Sequence, residues 1–316
     1  MTLKQIFDLG LSLGIKNDLR GEPHVRRHLA KAKERYDKLS AEDKKYFDLE
    51  RLTNPYADSR LLYDNGRPVK KILVGIDGDT QELILAKMLG YDATISHHPE
   101  GPALADLSDV LHMQADFMAQ YGVPINVAEA ITKERVSELS RGLSPYNHYR
   151  STDAARLLDI NFMCLHSPCD NLAAVFLDRE IKKAKPETVG EIIDVLKTIP
   201  EYQEATRRKQ GPKIFVGHVD NQAGKITLDI TGGTSNSKDI YEKMSQAGVG
   251  TIVSMHMSEE HKKEANKHHI NVLIAGHMPS DSLGVNLFLD ELEKKGVSIT
   301  PCSGLIRVSR VKKNKK

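Results

Sequence analysis

The sequence predicts an α/β protein of two pseudo-symmetric lobes, each built on a mostly parallel sheet, with N-terminal helices and a helical insertion added to them. Three observations predict it. Short β-rich runs alternate with helical segments over most of the 316 residues, the pattern of parallel sheets covered by helices. Two stretches of the chain repeat each other at corresponding places. Residues 103–158 are helical in pattern and interrupt the first of those stretches.

Residues 1–65 form the N-terminal segment. Leu3, Ile6, Phe7 and Leu13 fall near helical spacing, although Gly10 and Gly14 weaken that element. Charged helical segments follow over about Val25–Leu39 and Glu42–Leu52. Thr53-Asn54-Pro55 breaks the pattern and Asp64-Asn65-Gly66 marks a turn. The region 66–316 carries the rest, with a first half at about 66–180 and a second at about 211–305. Lys71–Asp77 reads as a strand, Thr80–Leu89 as a helix and Asp92–Ser96 as a strand running into His97-His98-Pro99, a βαβ unit. After the insertion a short strand at Ile160–Leu165 ends in His166-Ser167-Pro168-Cys169-Asp170. Helical segments fill about 171–209. Strands at Lys213–Gly217 and Lys225–Thr231 precede Gly232-Gly233-Thr234-Ser235-Asn236 and a helix to about Gln246. The end alternates: strand Thr251–Met255, helix Ser258–His268, strand Asn271–Ala275, helix Ser282–Lys295, strand Val297–Pro301. The tail Arg310–Lys316 reads as frayed and solvated.

The repeat rests on three matches in the same order. Lys71-Ile72-x-x-x-Ile76-x-Gly78 matches Lys225-Ile226-x-x-x-Ile230-x-Gly232. Gly90 through Ser96-His97-His98 aligns on Gly248 through Ser254-Met255-His256. His166-Ser167-Pro168-Cys169-Asp170-Asn171-Leu172 aligns on His277-Met278-Pro279-Ser280-Asp281-Ser282-Leu283. Duplicated halves place their strand ends at one shared crevice, where open parallel sheets bind ligands.

Composition bounds the function. Forty percent hydrophobic and 28% charged residues describe a globular chain with a large core and exclude a fibrous or mostly disordered one. A net charge of +2 gives no global argument for a nucleic-acid or membrane partner. No apolar run approaches the roughly 20 residues of a membrane span. The start of the chain has no basic segment followed by an apolar one, and three cysteines suit a reducing compartment, so the expected location is the cytoplasm.

The chemistry lies at the strand ends. His97, His98, His166 and His277 end strands, and His256 joins them through the repeat. Imidazole with carboxylate suits Fe, Zn, Mn, Ni or Co. His166/Asp170 and His277/Asp281 share a His-x-x-x-Asp spacing. N-capping of the next helix competes for each Asp, and a hydrogen-bonded structural role competes for each His. If its strand persists, His97 and His98 point to opposite sides and serve two different ions, or one binds while the other supports; either arrangement suits a centre where two cations about 3.5–4 Å apart act on one substrate. A thiolate at Cys169 or Cys164 is disfavoured, because the twin motif has Ser280 where Cys169 stands. His261, His268 and His269 lie in a charged stretch that reads as solvated surface. The loop Gly232–Asn236 offers N–H groups to a phosphate but lacks a lysine.

Ile76-Asp77…Thr80 with Ile95-Ser96-His97-His98-Pro99, then Leu165–Asp170, then Ala275-Gly276-His277-Met278-Pro279-Ser280-Asp281, resembles the Nif-three-like dinuclear metal-centre family, whose members are described as type-two GTP cyclohydrolase I homologues. The resemblance spans about residues 70–300. It implies a two-lobed α/β fold, a ring-shaped homohexamer, and two divalent metal ions on His97, His98, Asp170, His277 and Asp281, with Asp170 bridging and His166 close by. Asp281 stands where the family has Glu, one methylene longer, which implies altered binding of the second ion. Ser254-Met255-His256 stands where the family has Thr-Gly-Glu or Thr-Gly-Asp. The reading that follows is a metal-dependent hydrolase acting on a nucleotide or another phosphorylated or heterocyclic small molecule through a metal-activated water, with His166 or His256 as acid or base. Its alternative is a non-catalytic metal-binding regulatory protein or metallocofactor carrier.

Overall fold

The computed structural model describes residues 1–312; the last four residues of the expected tail lie outside that range. The chain begins with α1 (Leu3–Lys16), started by a capping box in which the Thr2 hydroxyl accepts from Gln5 N–H and the Gln5 side chain accepts from Thr2 N–H. The charged helix α2 (Glu22–Lys38) follows. Residues 42–52, expected as helix, form two short 3-10 turns, Asp43–Tyr46 and Leu49–Leu52. None of their residues is buried, so no apolar face holds a longer helix. The side chains of Ser40 and Asp48 take the N–H groups of Asp43 and Glu50 instead.

Then come β1 (Arg60–Tyr63), which no alternation in the sequence announces, β2 (Lys71–Gly75), α3 (Thr80–Met88) and β3 (Ala93–Ser96). The insertion is helical, as expected: α4 (Pro102–Ala105), α5 (Leu107–Val110), α6 (His112–Gln120), α7 (Ile125–Leu143) and α8 (Arg150–Leu158). After it run β4 (Asn161–Cys164), α9 (Ser167–Ala184), α10 (Val189–Lys197) and α11 (Pro200–Arg207). The remainder is β5 (Lys213–Val216), β6 (Lys225–Asp229), α12 (Ile240–Gln246), β7 (Val249–Ser254), α13 (Glu259–Lys267), β8 (Asn271–Ile274), α14 (His277–Lys294) and β9 (Ser298–Cys302).

Two mostly parallel sheets result. The first has the order β1-β4-β3-β2-β9 and the second β5-β8-β7-β6. β1 is antiparallel to β4 as β5 is to β8, and the other pairs are parallel. The duplication read from the sequence is therefore a duplication of topology. β9 departs from it: grouped by sequence with the second half, it pairs with β2 in the first sheet.

Both sheets are covered on both faces. α1, α9 and α14 pack on one face of the first sheet through Leu3, Ile6, Leu172, Phe288 and Leu289, and α3 and α8 cover the other through Leu83, Ala86 and Ala155. α9, α10 and α11 cover one face of the second sheet, and α12, α13 and the insertion helices α6 and α7 the other. α9 and α14, the two helices that begin at the His-x-Pro-x-Asp motifs, lie against each other. A Cβ at Gly284 of α14 would stand 2.1 Å from the Cys169 carbonyl oxygen, so only glycine permits this approach. The chain end is not frayed at Arg310. Its guanidinium donates both Nη1 and Nη2 to the fully buried carboxylate of Glu201, 2.7 Å each, because a carboxylate taken out of water requires a paired cation.

Candidate metal centre

Each candidate residue follows the C-terminal end of a strand. β3 stops at Ser96, as the sequence suggests, and does not persist through the histidine pair, so His97 and His98 are not held on opposite sides of a strand. Their rings lie 5.5 Å apart, centroid to centroid, and face one centre. His166 precedes α9 and His277 opens α14, placing Asp170 and Asp281 one turn inside those helices. Neither Asp caps its helix: the capping positions are taken by His166 and Gly276. Gly276 has φ +112°, and a Cβ there would stand 2.8 Å from the Gln210 carbonyl oxygen, so the tight entry into α14 requires glycine.

The five expected ligands and His166 meet in one place. Potential ligand atoms of His97, His98 and His166, of His98, His277 and Asp281, and of His97, Asp170 and Asp281 each lie within 4.8 Å of one another. His97 Nε2 is 3.3 Å from Asp170 Oδ1 and 3.6 Å from Asp281 Oδ1. Asp281 Oδ2 is 3.4 Å from His98 Nε2 and 3.3 Å from His277 Nε2. Asp281 thus reaches three imidazoles with two oxygens. Asp170, to which the resemblance assigns the bridging position, reaches His97 and, at 3.6 Å, Nδ1 of His166.

The imidazoles are oriented from behind. His97 Nδ1 donates to the Leu165 carbonyl at 3.1 Å, which leaves Nε2 as the lone pair. His98 Nδ1 donates to Asp77 at 2.7 Å, and His166 Nδ1 to Asp58 at 2.8 Å. Carboxylate or carbonyl partners of this kind fix the tautomer of metal-binding histidines. Asp58 is fully buried. Burial pushes its carboxyl up, but hydrogen bonds from His166, Ser167 and Ser59 outweigh burial and hold it below the usual carboxylate range. Asp58 lies in the N-terminal segment, outside every motif, and sequence reading misses it. Asp77 sits within the quoted signature but had no role there.

The donor set fits a divalent cation. His97 Nε2 and both carboxylate oxygens of Asp281 are buried and lack any hydrogen-bond partner. A lone pair facing two carboxylates at 3.3–3.6 Å is repulsive unless positive charge lies between them. Two ligands each about 2.1 Å from one cation stand about 3–3.5 Å apart, close to these spacings. The same demand for positive charge moves the titrations. Burial opposes a charged His97, but Asp281 and Asp170 hold its pKa well above the ordinary value, and Asp281 with Asp77 raises His98 to about 8 against its burial. Asp281 itself, despite burial, is held far below the usual carboxylate range by His97, His98 and His277.

A cleft of about 260 Å3 opens beside these residues. His98, His166 and Asp170 line it from the first lobe, and His277, Asp229, Ser235 and His256 from the second. The His256 ring stands 5.3 Å from that of His277, and its Nδ1 is 3.0 Å from Ser235 Oγ. Cys164 and Cys169 are buried thiols. Burial pushes Cys164 to about 12 and raises Cys169, so neither is a thiolate. His261 is half-buried and stacks edge-on against Tyr241, not a solvated side chain as the charged stretch suggests.

A NIF3 superfamily protein from Sphaerobacter thermophilus is similar to the chain at 29% identity, over 79% of this chain and 92% of that one, with a TM-score of 0.74. Reduced HcgD from Methanocaldococcus jannaschii shares the fold, at 14% identity over 82% of this chain and 94% of that one, with a TM-score of 0.51. No family model and no curated protein matches the chain.

Proposed function

From the premise that the chain is a NIF3-like protein, we propose that it holds two divalent metal ions and hydrolyses a small molecule bound in the cleft. The orphaned, buried Asp281 carboxylate among His97, His98 and His277 carries this reading. His97 and Asp170 would hold one ion and His98 and His277 the other, with Asp281 shared. When bound, such ions lower the pKa of a water and polarise a substrate oxygen.

The chain's own residues would do the rest. Asp58 keeps the His166 proton on Nδ1, so Nε2 accepts the proton of an attacking water. His256, across the cleft and held at Nδ1 by Ser235, returns a proton to the leaving group. Residues on both lobes orient the substrate between them. Among the described residues no helix is long and apolar enough to cross a membrane. We place the protein in the cytoplasm and, by its resemblance, in a homohexamer, which sedimentation velocity tests directly.

The decisive experiment is elemental analysis of protein purified without added metal, followed by a screen of phosphoesters, nucleotides and heterocycles. Two equivalents of metal and a turnover abolished in His98→Ala are expected. Protein without bound metal sinks the proposal. Tightly held metal with no turnover across a broad screen replaces it with the carrier reading.

A further inference from the structure

The cleft is small beside the roughly 300–1,000 Å3 of pockets that take larger ligands. Among the described residues no lysine or arginine lines it, whereas two carboxylates do, Asp170 and Asp229. Asp170 belongs to the metal centre. Asp229 does not. It ends β6 opposite Ser254, the register position that Gly75 holds opposite Ser96 in the first lobe. The repeat therefore puts a carboxylate on the second lobe where the first lobe has no side chain.

Asp229 Oδ2 accepts one hydrogen bond, from Ser254 Oγ at 3.1 Å, and Oδ1 accepts none from the protein. No described lysine or arginine pairs with it. Burial raises its carboxyl above the usual range, against the imidazoles of His256 and His261 and the Ser254 hydroxyl, which favour its charge. A half-buried carboxylate compensated by so few partners costs folding free energy. A ligand with N–H donors removes that cost through charge-assisted hydrogen bonds.

Resting on the cleft as the substrate site, we infer that Asp229 determines its specificity and that the ligand is a small planar molecule presenting an amidine-type N–H edge to Asp229. The oxygen-bearing end of such a ligand faces the histidine wall, and Ser254 keeps the carboxylate oriented.

Isothermal titration with benzamidine, and with benzoate as its anionic isostere, tests this in the wild type and in Asp229→Asn, each with and without manganese. Benzamidine should bind the wild type and lose at least tenfold in affinity in the variant, while manganese binding by the variant stays at the wild-type level and reports that it is folded. Benzoate affinity should not fall in the variant. Equal benzamidine affinity in the two proteins, or none in the wild type, overturns the inference. Benzamidine binding that depends on Asp229 in a protein that takes up no manganese upholds it while removing the metal reading. Should the variant not fold, a benzamidine soak of wild-type crystals decides: an amidinium within hydrogen-bond distance of Asp229 upholds the assignment, and one seated elsewhere overturns it.

Discussion

Asp58 decides which nitrogen of His166 faces the cleft. Its carboxylate accepts the Nδ1 proton, and Ser59 and Ser167 hold the carboxylate in turn. In Asp58→Asn the amide can also donate, so the imidazole loses its enforced tautomer. The expected result is a fall in kcat of roughly 10–100-fold with KM and metal content little changed, together with an altered pH profile; an equal loss of metal would show a merely structural role. Nothing in the sequence marks this residue, because 108 positions separate it from His166 and its neighbours carry no motif. His97, His98, Asp170, His277 and Asp281 were legible because each stands in a spaced pattern that occurs twice or at a strand end. Their mutual distances were not legible, since those depend on how the chain turns beyond β3 and on how two helices meet.

The helix pair α9 and α14 sets those distances. Asp170 rides on one helix and Asp281 on the other, and Gly284 lets them touch at the Cys169 carbonyl. Gly284→Ala must push the helices apart. It should destabilise the fold by about 2 kcal/mol, within the usual cost of overpacking, and weaken metal binding at the same time; urea unfolding and metal titration check the two effects. Unchanged metal affinity in a destabilised variant would mean that the centre does not depend on this contact. The repeat was legible at this scale, with one refinement. The motifs align His166 with His277, but the helices align Ser167 with His277, because α14 begins one residue earlier relative to its motif. The first lobe therefore offers its histidine from the capping position and the second from within the helix.

At the scale of the whole molecule the insertion joins the lobes. Met113 and Phe117 of α6 enter the core of the first lobe, while Ala115 and Met118 of the same helix enter the second. Gln114 donates to the carbonyls of Gly232 and Thr234, and Arg135 of α7 to that of Ser235, holding the glycine loop at the rim of the cleft. Because the candidate ligands come from both lobes, a bound cation should lock them together. Manganese at 100 times its dissociation constant should raise the unfolding free energy by about 2.7 kcal/mol, read as an increase in Tm that a chelator reverses; a Tm indifferent to manganese would count against the centre. By itself the sequence determined the α/β class, the duplicated halves, the helical insertion and the residue types of the centre, because local periodicity and repeated spacing are written in neighbouring residues. Only the tertiary structure decided that β9 crosses to the first sheet, that β1 and Asp58 belong to the site's support, and that Asp229 faces the cleft. Those are contacts between distant segments, settled by which apolar faces are buried together and by which buried charges find partners, and no single stretch of chain encodes them.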